Sequence, residues 1–365
     1  MKNSDRAPAH IHGYARGQDQ ISDKFCYILH MNIQKIKKDQ VQFLSLTSLY
    51  ESEFDELLVP FSRNWVKFFK YKKMTGKRRI KPLTARQIKN STRVLPSVEE
   101  KLFFILYFFK NGHIQQSLSA QFNMTQSNVS QWIKVLTPIL SQSIVDLHLQ
   151  AAQTIDDLVR LFRNRQRSGN LSTCEKSESL HLDATERMME RNLDQAAQKF
   201  DYSGKKGGHT LKNSVISDEF QFVHFAGFTH RGAIHDKTMA KDEIPDLERL
   251  KKFELWFSKD KAYQGYLPSG VNFLEPFKAK RNHPLKDWQK RFNRWISSIR
   301  ICSEHAICGI KRCRILKDKL RYFDSTFRNQ LFLVACGLHN LRVTRRKISY
   351  ANGASRIRAR MNIEI

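Results

Sequence analysis

From Leu102 to Phe109 every side chain is aliphatic or aromatic. The run is far short of the roughly 20 residues that cross a bilayer, so it reads as part of a folded core. Its ends are marked. Ser97 followed by Glu100 makes a capping box at the start, and Asn111-Gly112 breaks the helix after Phe109. A shorter helix fits Ile114 to Phe122, a tight turn fits Asn123-Met124, and a third helix opens with Thr125 as N-cap. Helical spacing puts Val129, Ile133 and Leu136 on one side of this last helix, with Gln126, Ser127, Gln131 and Lys134 toward the other. The order matches a helix-turn-helix, although an ordinary three-helix packing module has the same pattern. In the first reading Gln126, Ser127, Asn128, Gln131 and Lys134 are the DNA-contacting candidates.

Charge favours that reading. Of 365 residues, 63 are Lys or Arg and 35 are Asp or Glu, a net charge of +28. Such an excess calls for a polyanionic partner, nucleic acid first. The bases are bunched. No acid lies between Glu56 and Glu99, a span that holds Arg63, Lys67, Lys70, Lys72, Lys73, Lys77, Arg78, Arg79, Lys81, Arg86, Lys89 and Arg93. A second basic stretch runs from Lys278 to Arg321, and a third comprises Arg342, Arg345, Arg346, Lys347, Arg356, Arg358 and Arg360. Six cysteines in a chain this long make no disulfide framework, and no signal peptide or membrane span is evident, so a reducing cytoplasm is expected. Residues 1–40 read as a loose leader, with Met31 an alternative start. A basic region (41–94), a helix-turn-helix domain with its linker (95–175), a catalytic domain (176–345) and a basic tail (346–365) follow.

After the linker the texture changes. Ser179–Ala184, Thr210–Ser217, Phe220–Thr229, Phe253–Ser258 and Val271–Phe277 read as strands, with a helical segment around Pro245 and a long helix over Pro284–Leu316. This order implies an α/β domain. The first strand ends in Asp183, and the fourth runs into Asp260. An acid at the end of a buried strand needs a cationic partner, and two on neighbouring strands suit a hard divalent cation. In the long helix Phe292, Ile296, Ile299, Ala306 and Ile310 form an apolar stripe. Asn293, Ser297, Arg300, Glu304 and Lys311 form a second one roughly 110° away. By itself this second stripe favours an ordinary i,i+4 salt-bridge ladder of Arg300 with Glu304.

Five strings occur in order: Asp-Ala-Thr-Glu-Arg (183–187), Tyr-Ser-Gly-Lys-Lys-Gly-Gly-His-Thr-Leu-Lys (202–212), Gly-Ala-Ile-His-Asp-Lys (232–237), Asp-Lys-Ala-Tyr-Gln-Gly (260–265) and Arg-Ile-Cys-Ser-Glu-His-Ala-Ile-Cys-Gly-Ile-Lys (300–311). Together they resemble the DDE transposases of the insertion-sequence-five group and their Harbinger relatives, over roughly Leu95 to Arg342. The resemblance implies an RNase H-like catalytic domain with a mixed five-stranded sheet, preceded by an α-helical helix-turn-helix domain. It also implies a metal-binding triad of Asp183, Asp260 and Glu304, with Arg300 and Lys311 as DNA contacts. Some relatives carry a Tyr three residues before the Arg, where this chain has Ser297.

The implied activity is cleavage and joining of double-stranded DNA at the ends of a mobile element, by a protein that oligomerises on DNA. It would work in the cytoplasm, on the nucleoid of a bacterium or in the nucleus of a eukaryote. Alternatives are a DNA-binding descendant that no longer cuts, and a nuclease without strand transfer. Two Mg²⁺ ions about 4 Å apart, or Mn²⁺ in their place, would stabilise the attacking and leaving oxygens. Asp183 is expected to bridge them, with Asp260 on one and Glu304 on the other. Glu186 is expected to point elsewhere. His235-Asp236 either braces the site or starts a helix. Gly204–Gly208 lacks the Gly-Lys-Ser/Thr ending of a phosphate-binding loop. Cys302 and Cys313 stand about 16 Å apart along a helix, too far to share one zinc.

Overall fold

Leu102–Phe109 is buried along its whole length because helices pack around it on several sides. The structure, a computed structural model, describes residues 33–89, 94–168, 179–279 and 284–346. Most of the leader including Met31, Arg93, linker residues 169–178, Lys280 and Arg281, and the tail from Lys347 onward lie outside the described residues.

Eight helices fill the described N-terminal part: α1 (Ile33–Lys38), α2 (Gln40–Thr47), α3 (Glu51–Tyr71), α4 (Ala85–Lys89), α5 (Val98–Asn111), α6 (Gln115–Gln121), α7 (Gln126–Asp146) and α8 (Ile155–Ser168). The leader, expected loose to residue 40, is thus helical from Ile33, where Ile33 and Ile36 reach the core. The capping box of α5 forms: Ser97 Oγ accepts from Glu100 N at 3.0 Å, and Glu100 Oε2 accepts from Ser97 N at 2.9 Å. Gly112 ends the helix with φ of 64°. α6 meets α7 across a turn in which Asn123 takes φ of 46°. Thr125 Oγ1 then accepts from Asn128 N, and Val129, Ile133 and Leu136 face inward. α3 lies along α5 and α7, so Arg63, Lys67 and Lys70 of the acid-free basic stretch ride on a helix that belongs to this core.

The second part carries β1 (Ser179–Met188), α9 (Gln195–Asp201), β2 (Tyr202–Ser203), β3 (Gly208–Asp218), β4 (Val223–Ala226), β5 (His230–Arg231), α10 (Asp236–Glu243), β6 (Trp256–Lys259), β7 (Asn272–Leu274), α11 (Asp287–Ile310), α12 (Arg314–Lys317) and α13 (Ser325–Arg345). The sheet has seven strands rather than five, in the order β2-β3-β1-β6-β7 with β4 and β5 also on β3. The two additions, β2 and β5, are two-residue pieces too short to leave a periodic signal. β1 is central, antiparallel to β3 and parallel to β6. The expected strand Phe220–Thr229 shrinks to β4, because Asp218 Oδ1 accepts from Phe220 N and Phe222 N and Gln221 turns the chain at φ of 67°. The segment around Pro245 divides into α10, which ends before the proline, and a 3₁₀ turn at Glu248–Phe253.

The long helix also ends early, at Ile310 rather than Leu316. Arg342 Nη2 takes the Gly309 carbonyl at 2.7 Å, and Arg312 N and Cys313 N turn back in tight i→i+3 bonds to Gly309 and Ile310. α12 then restarts the helical path. α13 was not evident in the sequence. It is buried on nearly every side, against α7, α11 and β4, and makes the sheet and the helical part share one hydrophobic cluster. Asn340 on α13 fastens this joint: Oδ1 accepts from Val223 N, and Nδ2 donates to the carbonyls of Leu149 and Val223. The third basic stretch is therefore partly internal. Arg342 is buried, while Arg345 and Arg346 pair with Glu56 and Glu53.

Candidate active site

β1 and β6 run parallel with Leu182 opposite Lys259, the last pair in register. Asp183 and Asp260 therefore stand side by side, one residue beyond that pair. α11 packs over β1, β3 and β6 with Ile296, Ile299, Ala306 and Ile310 buried beneath it. Its adjacent stripe carries Arg300 and Glu304 to the same place. Arg300 Nη1 lies 3.2 Å from Asp260 Oδ1. The i,i+4 ladder does not form: Arg300 pairs with the sheet and not with Glu304, which is exposed.

Asp183 feels all three neighbours. Burial raises its carboxyl to about 6; the Ala184 N–H, 2.7 Å from Oδ1, and Arg300 act the other way, while the charges of Asp260 and Glu304 raise it again. Tyr263 adds a feature that sequence reasoning missed. It ends a one-turn 3₁₀ helix after Asp260 and is 1% exposed, yet its hydroxyl has no hydrogen-bond partner among the described residues. Burial, reinforced by Asp236, Asp183 and Asp260, pushes its ionisation well up. The only sequence signal for it was its place within Asp-Lys-Ala-Tyr-Gln-Gly.

Hard carboxylate donors, a mutually repelled buried Asp and an orphaned hydroxyl fit a hydrated divalent cation in chemistry. The fit is not complete in position. Among the described residues no three His, Cys, Asp or Glu side chains converge closely enough to hold a metal ion. Loading would require Asp260 to leave Arg300 and Glu304 to turn inward.

Lys311 stands apart from this cluster. It caps α11, and its Nζ donates to the Glu186 carbonyl at 3.1 Å, about 10 Å along β1 from Asp183. Burial depresses its ionisation, and Lys206 of the exposed loop before β3 adds to that. Glu186 faces away, as strand alternation requires, and accepts from Thr210 Oγ1 at 2.6 Å. His235 is the N-cap of α10, and Asp236 pairs with Lys212 at 3.0 Å, so that dipeptide starts a helix. On α7, Gln126, Ser127 and Lys134 are exposed, and Asn128 and Gln131 are half-buried. Cys302 and Cys313 are free thiols, both pushed up by burial.

The raised carboxyl sets a pH dependence. Asp183 binds its proton more tightly in the folded state, near 6, than at the ordinary 3.8. Stability of the metal-free protein should therefore fall as pH rises from about 4 to about 6. Asp183→Asn in EDTA should melt on the order of 5 °C higher than wild type at pH 7.5, with the difference gone by pH 4. Scanning calorimetry across that range checks this; a constant difference would remove the burial argument.

Residues 182–340 match the family model described as a DDE superfamily endonuclease. Over 159 residues the chain is 30% identical to a protein of Microchaete diplosiphon described as "Probable transposase for insertion sequence element IS702". That alignment covers 44% of this chain and 55% of the relative, so the chain spans about half the length of the curated protein it matches. No solved structure matches the chain. Among the described residues no helix is long and apolar enough to cross a membrane. The stretch that matches the model of the DDE superfamily of endonucleases, residues 182–340, holds Asp183, Asp260, Arg300 and Glu304.

Proposed function

We propose that this protein is a metal-dependent DNA transposase, which holds the terminal inverted repeats of its element and cuts and joins the strands. The observation that carries this is the placing of Asp183 and Asp260 side by side on adjoining parallel strands, with Arg300 of the helix above them paired to Asp260 and the charge of Glu304 acting on Asp183. The sheet supports an RNase H-like reading: β4, β3 and β1 are antiparallel, and β6 and β7 continue parallel from β1. The five motifs favour the insertion-sequence-five and Harbinger branch.

Asp183, Asp260 and Glu304 would hold Mg²⁺ or Mn²⁺, which supplies charge neutralisation at the phosphate and an acidified water. The chain's own part is positioning. Arg300 can fork two N–H donors onto a phosphate, and the Tyr263 hydroxyl can orient a water. Lys311 with Lys205 and Lys206 can hold the strand leading away. On the helical part, α6 and α7 form the proposed helix-turn-helix, with Gln126, Ser127, Asn128, Gln131 and Lys134 toward the bases. Exposed Lys72, Lys73, Lys77, Arg78 and Lys81, around the turn at Gly76, suit the backbone. Assembly into an oligomer on paired ends belongs to the same reading. The Arg300–Asp260 pair and the outward Glu304 favour a DNA-binding descendant that does not cut.

The deciding assay uses the full chain, Mg²⁺ and duplexes carrying the inverted repeats that flank its reading frame. Cleavage at the repeat boundary and joining of a pre-cut end to target DNA are expected. Cleavage without joining would leave a nuclease, and specific binding with neither would leave a DNA-binding protein.

A further inference from the structure

Away from the acidic site, the C-terminal ends of α11 and α13 enclose a cavity of about 480 Å³ with basic walls. Arg342 lies at its back, 2% exposed, with one Nη on the Gly309 carbonyl and the other 3.4 Å from Ser48 Oγ. Arg346 lies over the Tyr50 ring and makes two 2.7 Å contacts with Glu53. Arg312 is exposed at the mouth and forms no ion pair among the described residues. Three guanidiniums thus face this cavity with one carboxylate, Glu53, between them. The ionisation of Arg342 is depressed by burial and by the charges of Arg312 and Arg346, while Cys313 and Glu53 act the other way.

The remaining wall does not cancel that charge. His339 donates Nε2 to the Gln221 carbonyl at 2.8 Å, and burial next to Arg342 holds it down to about 3, so it is neutral. Gly309 lets its ring come close: a Cβ there would lie 2.3 Å from it. A buried guanidinium without a full complement of carboxylate is costly unless an anion completes it. Planar N–H forks match the oxygens of a phosphate better than those of a spherical ion.

We propose that this cavity binds a phosphate group, and that its source is the backbone of DNA held at the acidic site. The choice of source rests on the transposase reading; the pocket itself does not. Arg312 follows Glu304 by little more than two helical turns, about 12 Å. That distance corresponds to about three to four nucleotides at roughly 3.4 Å of rise per phosphate. One strand could reach both places.

The test uses the full-length chain with Arg312→Gln and Arg312→Lys. Inorganic phosphate should raise the melting temperature of wild type and of Arg312→Lys, but not of Arg312→Gln. Without phosphate Arg312→Gln should melt no lower than the other two, because the Arg312 side chain braces nothing and its charge repels Arg342. Duplex affinity of Arg312→Gln should drop about tenfold, and its log–log salt slope should shrink by about 0.9, one phosphate contact. Equal phosphate responses in wild type and Arg312→Gln would overturn the pocket. A lost phosphate response with an unchanged salt slope would overturn DNA as its source and leave a site for free phosphate. If wild type responds to phosphate but binds no duplex, the pocket stands and the transposase reading fails.

Discussion

Alanine at Asp183, Asp260 or Glu304 is expected to bring Mg²⁺-dependent strand cleavage below about a thousandth of wild type, a loss of at least about 4 kcal/mol of transition-state stabilisation. Duplex binding should stay within about threefold, because the groups proposed to grip DNA are basic and polar side chains and none of the three acids is among them. The folded state should not suffer. Asp183 is held against burial and two like charges, and Glu304 is exposed, so neither carboxylate braces the core. Asp260 differs because Arg300 leans on it, and Asp260→Asn is the gentler companion to the alanine. Single-turnover cleavage beside filter binding and a thermal melt would read all three effects. Cleavage near the wild-type rate by any one variant would remove that residue from the triad.

The acids were legible because each sits at a place that local sequence marks. Asp183 was read as the end of an apolar strand, which in the structure runs on to Met188, and Asp260 follows β6; register makes the two neighbours. Helical period put Glu304 beside the buried face of the long helix, and its place in the expected triad came from the resemblance. The caps at Ser97, Gly112 and Thr125 were legible for the same reason, since they satisfy backbone groups of adjacent residues. What stayed hidden depends on distant chain. α13 carries apolar and polar residues around its whole circumference, so no stripe betrays it; Asn340 and Arg342 are buried in it through partners far along the chain. The end of α11 at Ile310 depends on Arg342 taking the Gly309 carbonyl. The contact of Arg300 with Asp260 was hidden because i,i+4 spacing is visible in sequence while a contact to the sheet is not. Tyr263 was hidden too, as its burial follows from the turn after β6.

Arg300→Gln is expected to lower cleavage about a hundredfold at saturating Mg²⁺ and DNA, with the melting temperature unchanged; removing one preorganised donor at a reacting centre typically costs about 10²–10³ in rate. Two roles are open to this side chain. As the counterion of Asp260, 3.2 Å away, it would hold that carboxylate ready. As a phosphate ligand, it would leave Asp260 when cation and DNA arrive and grip the scissile group. The pair is partly exposed, Arg300 at 19% and Asp260 at 42% of the side chain, so as an ion pair it would be worth only about 0.2–1 kcal/mol. The roles separate on metal concentration. A counterion role ends once the cation binds, so Arg300→Gln would load Mg²⁺ more readily and cleave at the full rate when saturated. A phosphate role persists at any Mg²⁺ concentration, and Arg300→Lys should recover only part of the rate, since an ammonium keeps the charge and loses the fork. Lys311→Gln gives the contrast. Its Nζ braces the Glu186 carbonyl, so that variant should lose melting temperature together with rate. Full cleavage by Arg300→Gln at saturating Mg²⁺ would reduce Arg300 to a counterion and leave the phosphate without its fork.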